Sequence, residues 1–293
     1  MGRREQEIAR RRERAIREGL EAVQVSGTPA VGRWRVTGPS GRVHEVKVRF
    51  AWGAVHRCDC QDYETKGLGT CKHVEAALMA LERTVGPEGM ARLSARMAGP
   101  SWVGVRAGPE TVFFDLETQR VFEDVGGRHH LDRLGLAGAV TYSEADGGYR
   151  EYLEADAGRL IRRLLQAPLI VGFNLLRFDY EVLAGYSAEA DQLYSVPTLD
   201  MMLELEAALG FRPALDDLAQ ATLGVSKSAG GLDAVRWFRE GRVDQVLRYC
   251  RDDVELTRDL FWVGARQGHI RARGRDGGQL EVRAAWAGAG QAA

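Results

Sequence analysis

The sequence predicts a mixed α/β fold preceded by a small metal-stapled module, and three observations predict it. From residue 110 to 200, strand-like segments with hairpin signals pass into helix–strand alternation, the order expected of a sheet with both antiparallel and parallel pairs. One strand, T-V-F-F-D-L-E-T from Thr111 to Thr118, ends in two carboxylates two residues apart. Three of the four cysteines, Cys58, Cys60 and Cys71, fall within 14 residues, with His73 directly after them. At 293 residues the chain has length for one large domain or two smaller ones.

Composition removes several classes. Hydrophobic residues make up 45% and charged residues 28%, as in ordinary globular proteins, so the chain is not expected to be disordered. No apolar run approaches the roughly 20 residues that a membrane span needs. The basic first residues have no apolar stretch after them, so no secretory signal is expected, and the chain is expected to be cytoplasmic with no membrane partner. Clustered cysteines suit a metal site in a reducing compartment better than a disulfide framework. The net charge of -1 hides an asymmetry: residues 1–100 hold 18 Lys+Arg against 12 Asp+Glu, and the remainder 22 against 29. A basic front and an acidic back suit a nucleic-acid-holding half joined to a metal-binding half.

Residues 1–22 interleave seven Arg with five Glu. They predict a charged helical segment, solvated and held by i,i+4 pairs, with phosphate contacts through Arg10, Arg11, Arg12 and Arg14 as the alternative. Short strands follow at Gly32–Thr37, Val43–Phe50 and Val55–Cys58, the first two separated by the turn Gly38-Pro39-Ser40-Gly41. Next come C-D-C at Cys58–Cys60, ten intervening residues, and C-K-H at Cys71–His73. Thiolate and imidazole are the ligands Zn²⁺ prefers, and four of them close a tetrahedral structural site with no open position. A helix predicted over Val74–Arg83 puts Cys71 and His73 at its first turn, where the helix N-terminus favours a thiolate. Three Gly-Pro steps, beginning at Gly86, Gly99 and Gly108, mark a linker or interdomain passage, with a short helical piece expected at residues 92–97. The expected division is a zinc-finger domain at 23–98, a linker at 99–109, a catalytic domain at 110–286 and a disordered tail at 287–293.

The second domain opens on the carboxylate strand. Alternation puts Asp115 and Glu117 on one face and Val112, Phe114 and Leu116 on the other. Taken alone this reads equally well as a half-exposed edge strand. Strands at Ala137–Ser143 and Tyr149–Leu153 flank the hairpin signal Asp146-Gly147-Gly148. A helix at Ala157–Gln166 and a strand at Leu169–Val171 come next. The run V-G-F-N-L-L-R-F-D-Y then sets Asp179 near the start of another helix, a position the helix dipole also favours without any function. A strand at 196–200 brings Asp200 to the helix Met201–Leu209, and Leu215–Leu223 is a further helix. In the loop Leu223–Gly231, Lys227 is a candidate phosphate contact. Trp237 and Phe238, on a helix from Asp233 to Arg239, are read as packing residues. On the last long helix, Arg242–Val263, Asp253 lies within the apolar stripe of Val246 and Leu260, while Asp252 is turned about 100° away. A carboxylate on a buried face is costly unless it is paired or bound to a metal. Tyr249 stands one turn before Asp253, and Cys250 reads as a small core residue. Residues 269–286 form a closing hairpin about Asp276-Gly277-Gly278.

Two resemblances follow from these residues. The C-x-C…C-x-H pattern over about residues 30–85, with strands then a helix, resembles the SWIM zinc finger. The order D-x-E, then N-x-x-x-F-D, then Y-x-x-x-D resembles the three motifs of the DEDD 3′–5′ exonucleases, which have a ribonuclease H-like fold. Tyr249 assigns the tyrosine branch, since the histidine branch needs His at position 248, where this chain has Arg. The likeness covers about residues 110–265 and is strongest to the predicted exonucleases related to the proofreading domain of B-family polymerases, a group often found with helicases. Phe173 departs from the His that relatives often carry before the Asn. The resemblance implies two Mg²⁺ or Mn²⁺ ions: Asp115 bridging both, Glu117 and Asp253 completing the site that activates water, and Asp179 serving the second ion through water. It also implies that Tyr249 orients the attacking water and that Asn174, Phe178 and Thr118 contact substrate. The expected partner is a nucleic acid with a free 3′ end, single-stranded DNA before RNA. A helicase partner is possible, for the chain has no P-loop of its own. The rival readings are a binding module on a degenerate nuclease fold and a subunit active only beside a helicase.

Overall fold

The structure, a computed structural model, describes residues 3–66, 68–226, 230–275 and 277–289. The chain divides into two units, Met1–Ser101 and Trp102–Ala293. Lys227 and Asp276, singled out in the sequence, lie outside the described residues.

The first unit starts with helix α1 (Arg3–Arg17). Strands β1 (Glu21–Gly27), β2 (Val31–Thr37), β3 (Val43–Arg49) and β4 (Arg57–Cys58) form an antiparallel sheet in that order. Helices α2 (Gln61–Lys66) and α3 (Lys72–Ala95) complete it. Trp34, Val36, Val46 and Val48 from the sheet share one core with Val74, Ala77 and Leu81 from α3. The expected i,i+4 pairs of α1 are present, Arg11 with Glu7 at 3.0 Å and Arg14 with Glu18 at 2.6 Å. The helix is not wholly solvated, however. Ala15 is buried, Arg12 pairs with Glu82 of α3, and Glu18 pairs with Lys72, so α1 is tied onto α3. Arg11 is also committed, to Glu7 and to Asp62 at 3.4 Å, which removes it from the expected phosphate-binding set. Helix α3 continues past the first Gly-Pro step. Gly86, at φ 70°, breaks it, and Pro87 starts the second arm, where its missing N–H costs nothing. The second arm therefore makes residues 87–95 helical, a longer helix than the short piece expected at 92–97.

The second unit is built on a five-stranded mixed sheet. Its strands are β5 (Val112–Thr118), β6 (Leu136–Ser143), β7 (Gly148–Tyr152), β8 (Ile170–Gly172) and β9 (Thr198–Asp200), in the order β7-β6-β5-β8-β9. β5 pairs antiparallel with β6 and parallel with β8. The carboxylate strand is thus the middle of the sheet, not an edge. Helices α4 (Ala157–Leu165), α5 (Tyr180–Leu183), α6 (Met201–Leu209), α7 (Leu215–Leu223), α8 (Gly231–Arg239) and α9 (Val243–Gln267) flank it. This is the expected α/β, ribonuclease H-like architecture with a small module before it. Phe113 meets Phe261 of α9 edge-on at 5.4 Å, so the face of β5 that carries Asp115 and Glu117 looks toward α9. Gly138 of β6 pairs with Glu117, and a Cβ there would come within 2.9 Å of Leu247 on α9. The missing side chain leaves room for Leu247 beside the carboxylates.

Strands β10 (His269–Arg273) and β11 (Gln279–Arg283) form the closing hairpin. Trp286 behind it is fully buried and donates its indole N–H to the Phe261 carbonyl at 2.9 Å. Two expected boundaries move. Trp102, placed in the linker, is buried in the second unit's core and bonds Glu204 at 2.7 Å, because a large indole with a partnered N–H gains most from burial. Ala287–Ala289, placed in a disordered tail, are held by bonds from Gly288 to Ala265 and from Ala107 to Ala289. Among the described residues, no helix is long and apolar enough to cross a membrane.

Candidate active site and metal centres

β5 carries Asp115 and Glu117 to a cleft of about 680 Å³ at the end of the sheet. The pairing with β6 shifts register between Glu117 and Thr118, where Ala137 of β6 is the extra residue, an irregularity of the kind found next to active sites. Helix α9 brings Tyr249 and Asp253 to the same cleft. Oxygens of Asp115, Glu117 and Asp253 all lie within 4.8 Å of one another. Glu117 and Asp253 are buried and Asp115 is half-buried. Three converging carboxylates in such a place repel strongly, and a cation among them is what removes the cost.

Asp179 reaches the cleft from the other side. Strand β8 ends at Gly172, and Asn174 then takes φ 70°, alone among the described non-glycine residues in having a positive φ. A π-type turn over Leu175–Asp179 follows, the wide turn found most often at functional sites. Asp179 ends it, 2% exposed, and accepts a hydrogen bond from the Leu116 N–H of β5 at 3.2 Å. Burial first, then the charges of Asp115 and Asp200, push its carboxyl well above the usual range. Asp179 is not within the tight group of three; its bond from the Leu116 N–H makes it a fourth carboxylate beside the strand residue next to Asp115, near enough to feel that charge. All are hard oxygen donors, and the set fits Mg²⁺ or Mn²⁺.

The Tyr249 hydroxyl stays protonated: burial, then the charges of Asp253, Glu117 and Asp115, raise its pKa. It is a hydrogen-bond donor here, not a base. Cys250 is fully buried, as a core residue should be, yet its thiol also donates to the Asp115 carbonyl at 3.2 Å. The expected substrate contacts divide. Asn174 and Phe178 line the cleft, and the buried Asn174 Oδ1 has no hydrogen-bond partner among the described residues. Thr118 lines the cleft as well, but its hydroxyl is used within the chain, on the Arg120 carbonyl at 3.0 Å.

Sequence reasoning missed several lining residues. Phe122 packs edge-on to Phe178 at 6.3 Å, and the Arg128 guanidinium lies 4.9 Å from the centre of the Phe122 ring. Arg120 and Arg212 add positive charge to the wall. Nothing in the pattern of residues 119–135 marks Arg120, Phe122 or Arg128, because the segment folds as short 3₁₀ turns without periodicity. Asp200 was read only as the residue before α6. It is fully buried, and burial pushes its carboxyl up to about 6 against the pull of the Leu176, Asn174 and Leu203 N–H groups.

The first unit holds a separate candidate metal centre. Cys58 ends β4, Cys60 precedes α2, Cys71 caps α3 and accepts from the Val74 N–H, and His73 sits in the first turn. The four ligand atoms lie within 4.8 Å of one another and all four residues are buried. His73 Nδ1 is 3.7 Å from Cys58 Sγ and 3.9 Å from Cys71 Sγ. Sulfur and nitrogen ligands on one tetrahedral Zn²⁺ are about 3.6 Å apart, so this nitrogen is placed to bind. Hydrogen bonds from Cys60 and Cys71, with burial, push the Cys58 thiol up, whereas bonds from Cys58 and Cys71 pull Cys60 down; without a cation the thiols cannot ionise together. A second grouping, His44 with Cys58 and Asp59, is less apt because it shares Cys58 and includes an exposed carboxylate. His44 instead stacks on His73 at 4.0 Å and bonds Asp59 at 2.7 Å, which braces the ligand ring.

The RNase H superfamily profile matches residues 112–263, the span that carries Asp115, Glu117, Asp179, Tyr249 and Asp253. A search of curated proteins finds no match. With the profile spanning more than half of the sequence, from the central strand to the last helix, the chain belongs to the RNase H superfamily.

Proposed function

We propose that the chain is a metal-dependent 3′–5′ exonuclease of the DEDD tyrosine type, acting on nucleic acid and on single-stranded DNA before RNA, with a SWIM-like zinc module that aids nucleic-acid or partner binding. One observation carries this reading: Asp115, Glu117 and Asp253 converge within 4.8 Å in a cleft that Tyr249 and Asp179 also line. Bound divalent cations supply the Lewis acidity that stabilises the phosphodiester oxygens and makes water a nucleophile near neutral pH. Asp115, Glu117, Asp253 and Asp179 would hold them. Tyr249, kept protonated, donates a hydrogen bond that aims the attacking water at phosphorus. Phe122 and Phe178 offer ring faces and edges to the terminal bases, and Arg120, Arg128 and Arg212 offer charge to the backbone.

The test is cleavage of a 5′-labelled single strand with Mn²⁺. The expected product is a ladder shortened from the 3′ end, which Asp115→Ala abolishes. Internal cuts by the wild-type chain would remove the exonuclease assignment. Normal cleavage by Asp115→Ala would remove the site.

A further inference from the structure

The turn that presents Asp179 is not one the chain would keep unaided. It combines a left-handed Asn174 with a π-type turn, both sparsely populated conformations that persist only where the surroundings over-determine them. One side chain supplies most of that constraint. Asp200, the last residue of β9, stands in register with Gly172 of β8 and is fully buried. Its Oδ1 accepts the Asn174 N–H at 2.8 Å, and its Oδ2 accepts the Leu176 N–H at 3.0 Å. The Tyr194 hydroxyl holds the other side of the same residue, donating to the Leu176 carbonyl at 3.1 Å. Asp200 also caps α6, but loosely, with the Leu203 N–H at 3.4 Å. The two shorter bonds go to the turn, so capping does not account for a buried carboxylate at this point.

We propose that Asp200 is a positioning residue for Asp179: its two oxygens clamp the turn over residues 174–179 so that Asp179 faces Asp115, and thereby shape the cation site those two carboxylates share. The assignment rests on the divalent-cation reading above. Asp200 itself touches neither substrate nor cation. Its removal lets the turn unwind toward an ordinary helical start, which carries the Asp179 carboxyl away from Asp115.

A serine at this position separates the two roles. Asp200→Ser keeps a good helix cap for α6 but is too short to reach Asn174 and Leu176. The full chain is titrated with Mn²⁺ by calorimetry without nucleic acid, with Asp115→Ala as the blank, and cleavage is then measured at saturating Mn²⁺. For Asp200→Ser, the weaker of the cleft's two Mn²⁺ affinities should drop at least about tenfold while the stronger holds. A displacement of about 1 Å should cost on the order of 10²-fold in kcat, with KM for the strand little changed. If Asp200→Ser binds both ions and cleaves as the wild type does, Asp200 is a helix cap only and the proposal falls. Should the serine variant not fold, Asp200→Asn decides. It keeps Oδ1 for Asn174 and Leu203 and sets an NH₂ against the Leu176 N–H, and the same loss at one cation is expected in milder form; an unchanged titration overturns the proposal. A wild-type chain that binds two Mn²⁺ but cleaves no strand sinks the nuclease reading alone, because the titration still judges Asp200. One that binds no Mn²⁺ in this cleft sinks both.

Discussion

Asp179→Asn should make the metal-free protein more stable while destroying its activity. Asp179 is buried beside Asp115 and Asp200, and its carboxyl is pushed well above the usual range by burial and by those charges. A carboxyl whose folded pKa is raised contributes stability at acid pH and loses it as pH rises through the folded value. Asparagine keeps an acceptor for the Leu116 N–H, sheds the charge, and can donate its NH₂ to Asp115. Relief of this kind at an active site is commonly worth about 0.5–2 kcal/mol. For a unit the size of Trp102–Ala293, with unfolding entropy of roughly 0.4 kcal/mol per degree, that raises Tm by about 1–5 °C. The assay is thermal unfolding in a chelator from pH 4 to pH 8, then with Mn²⁺ added. The gap between variant and wild type should open with rising pH and nearly close at pH 4. Mn²⁺ at about 100 times its Kd should stabilise the wild type by about 2.7 kcal/mol and the variant by much less. A variant less stable than wild type at pH 8 in chelator, or a gap that does not depend on pH, would refute the reasoning.

Three other perturbations test other parts of the chain. Tyr249→Phe should slow cleavage about tenfold to 10²-fold with KM and the shape of the pH–rate profile unchanged, as the loss of a donor and not of a base; equal rates would remove the role given to its hydroxyl. Zinc chelation or Cys58→Ser should unfold the first unit and leave the melting of Trp102–Ala293 in place, and an intact first transition after zinc removal would contradict the structural-zinc reading. Trp286→Ala empties a fully buried site and should cost about 3–5 kcal/mol, lowering the Tm of the second unit by roughly 10 °C; a negligible shift would mean that the closing hairpin is dispensable to this core.

Particular elements show why parts of this protein were legible before the structure. Helices α6 and α7 begin and end as read, because Gly210 and Gly224 take left-handed conformations at their ends and the apolar residues before them keep a helical period. Asp253 stood out because a carboxylate inside an apolar stripe has few physical explanations. Strand β1 was missed because it begins at Glu21, inside the stretch read as a charged helix to residue 22. The second arm of α3 was anticipated only as a short piece at 92–97, because Gly86-Pro87 reads locally as a stop, although its backbone redirects the helix and does not end it.

The sequence by itself determined the chemistry on offer: which residues could hold zinc, which carboxylates could hold a divalent cation, and the order in which strands and helices would deliver them. Those properties follow from side-chain type and local period, both of which a linear string contains. Only the tertiary structure decided that β5 lies at the centre of its sheet, that Phe122 and Arg128 line the cleft, and that Trp102 belongs to the second unit. It also decided what holds Asp179. Asp200 lies 21 residues further along the chain, and its partners are backbone N–H groups, which every residue but proline presents alike. A contact made through the backbone leaves no mark in side-chain pattern, and packing alone brings its two ends together.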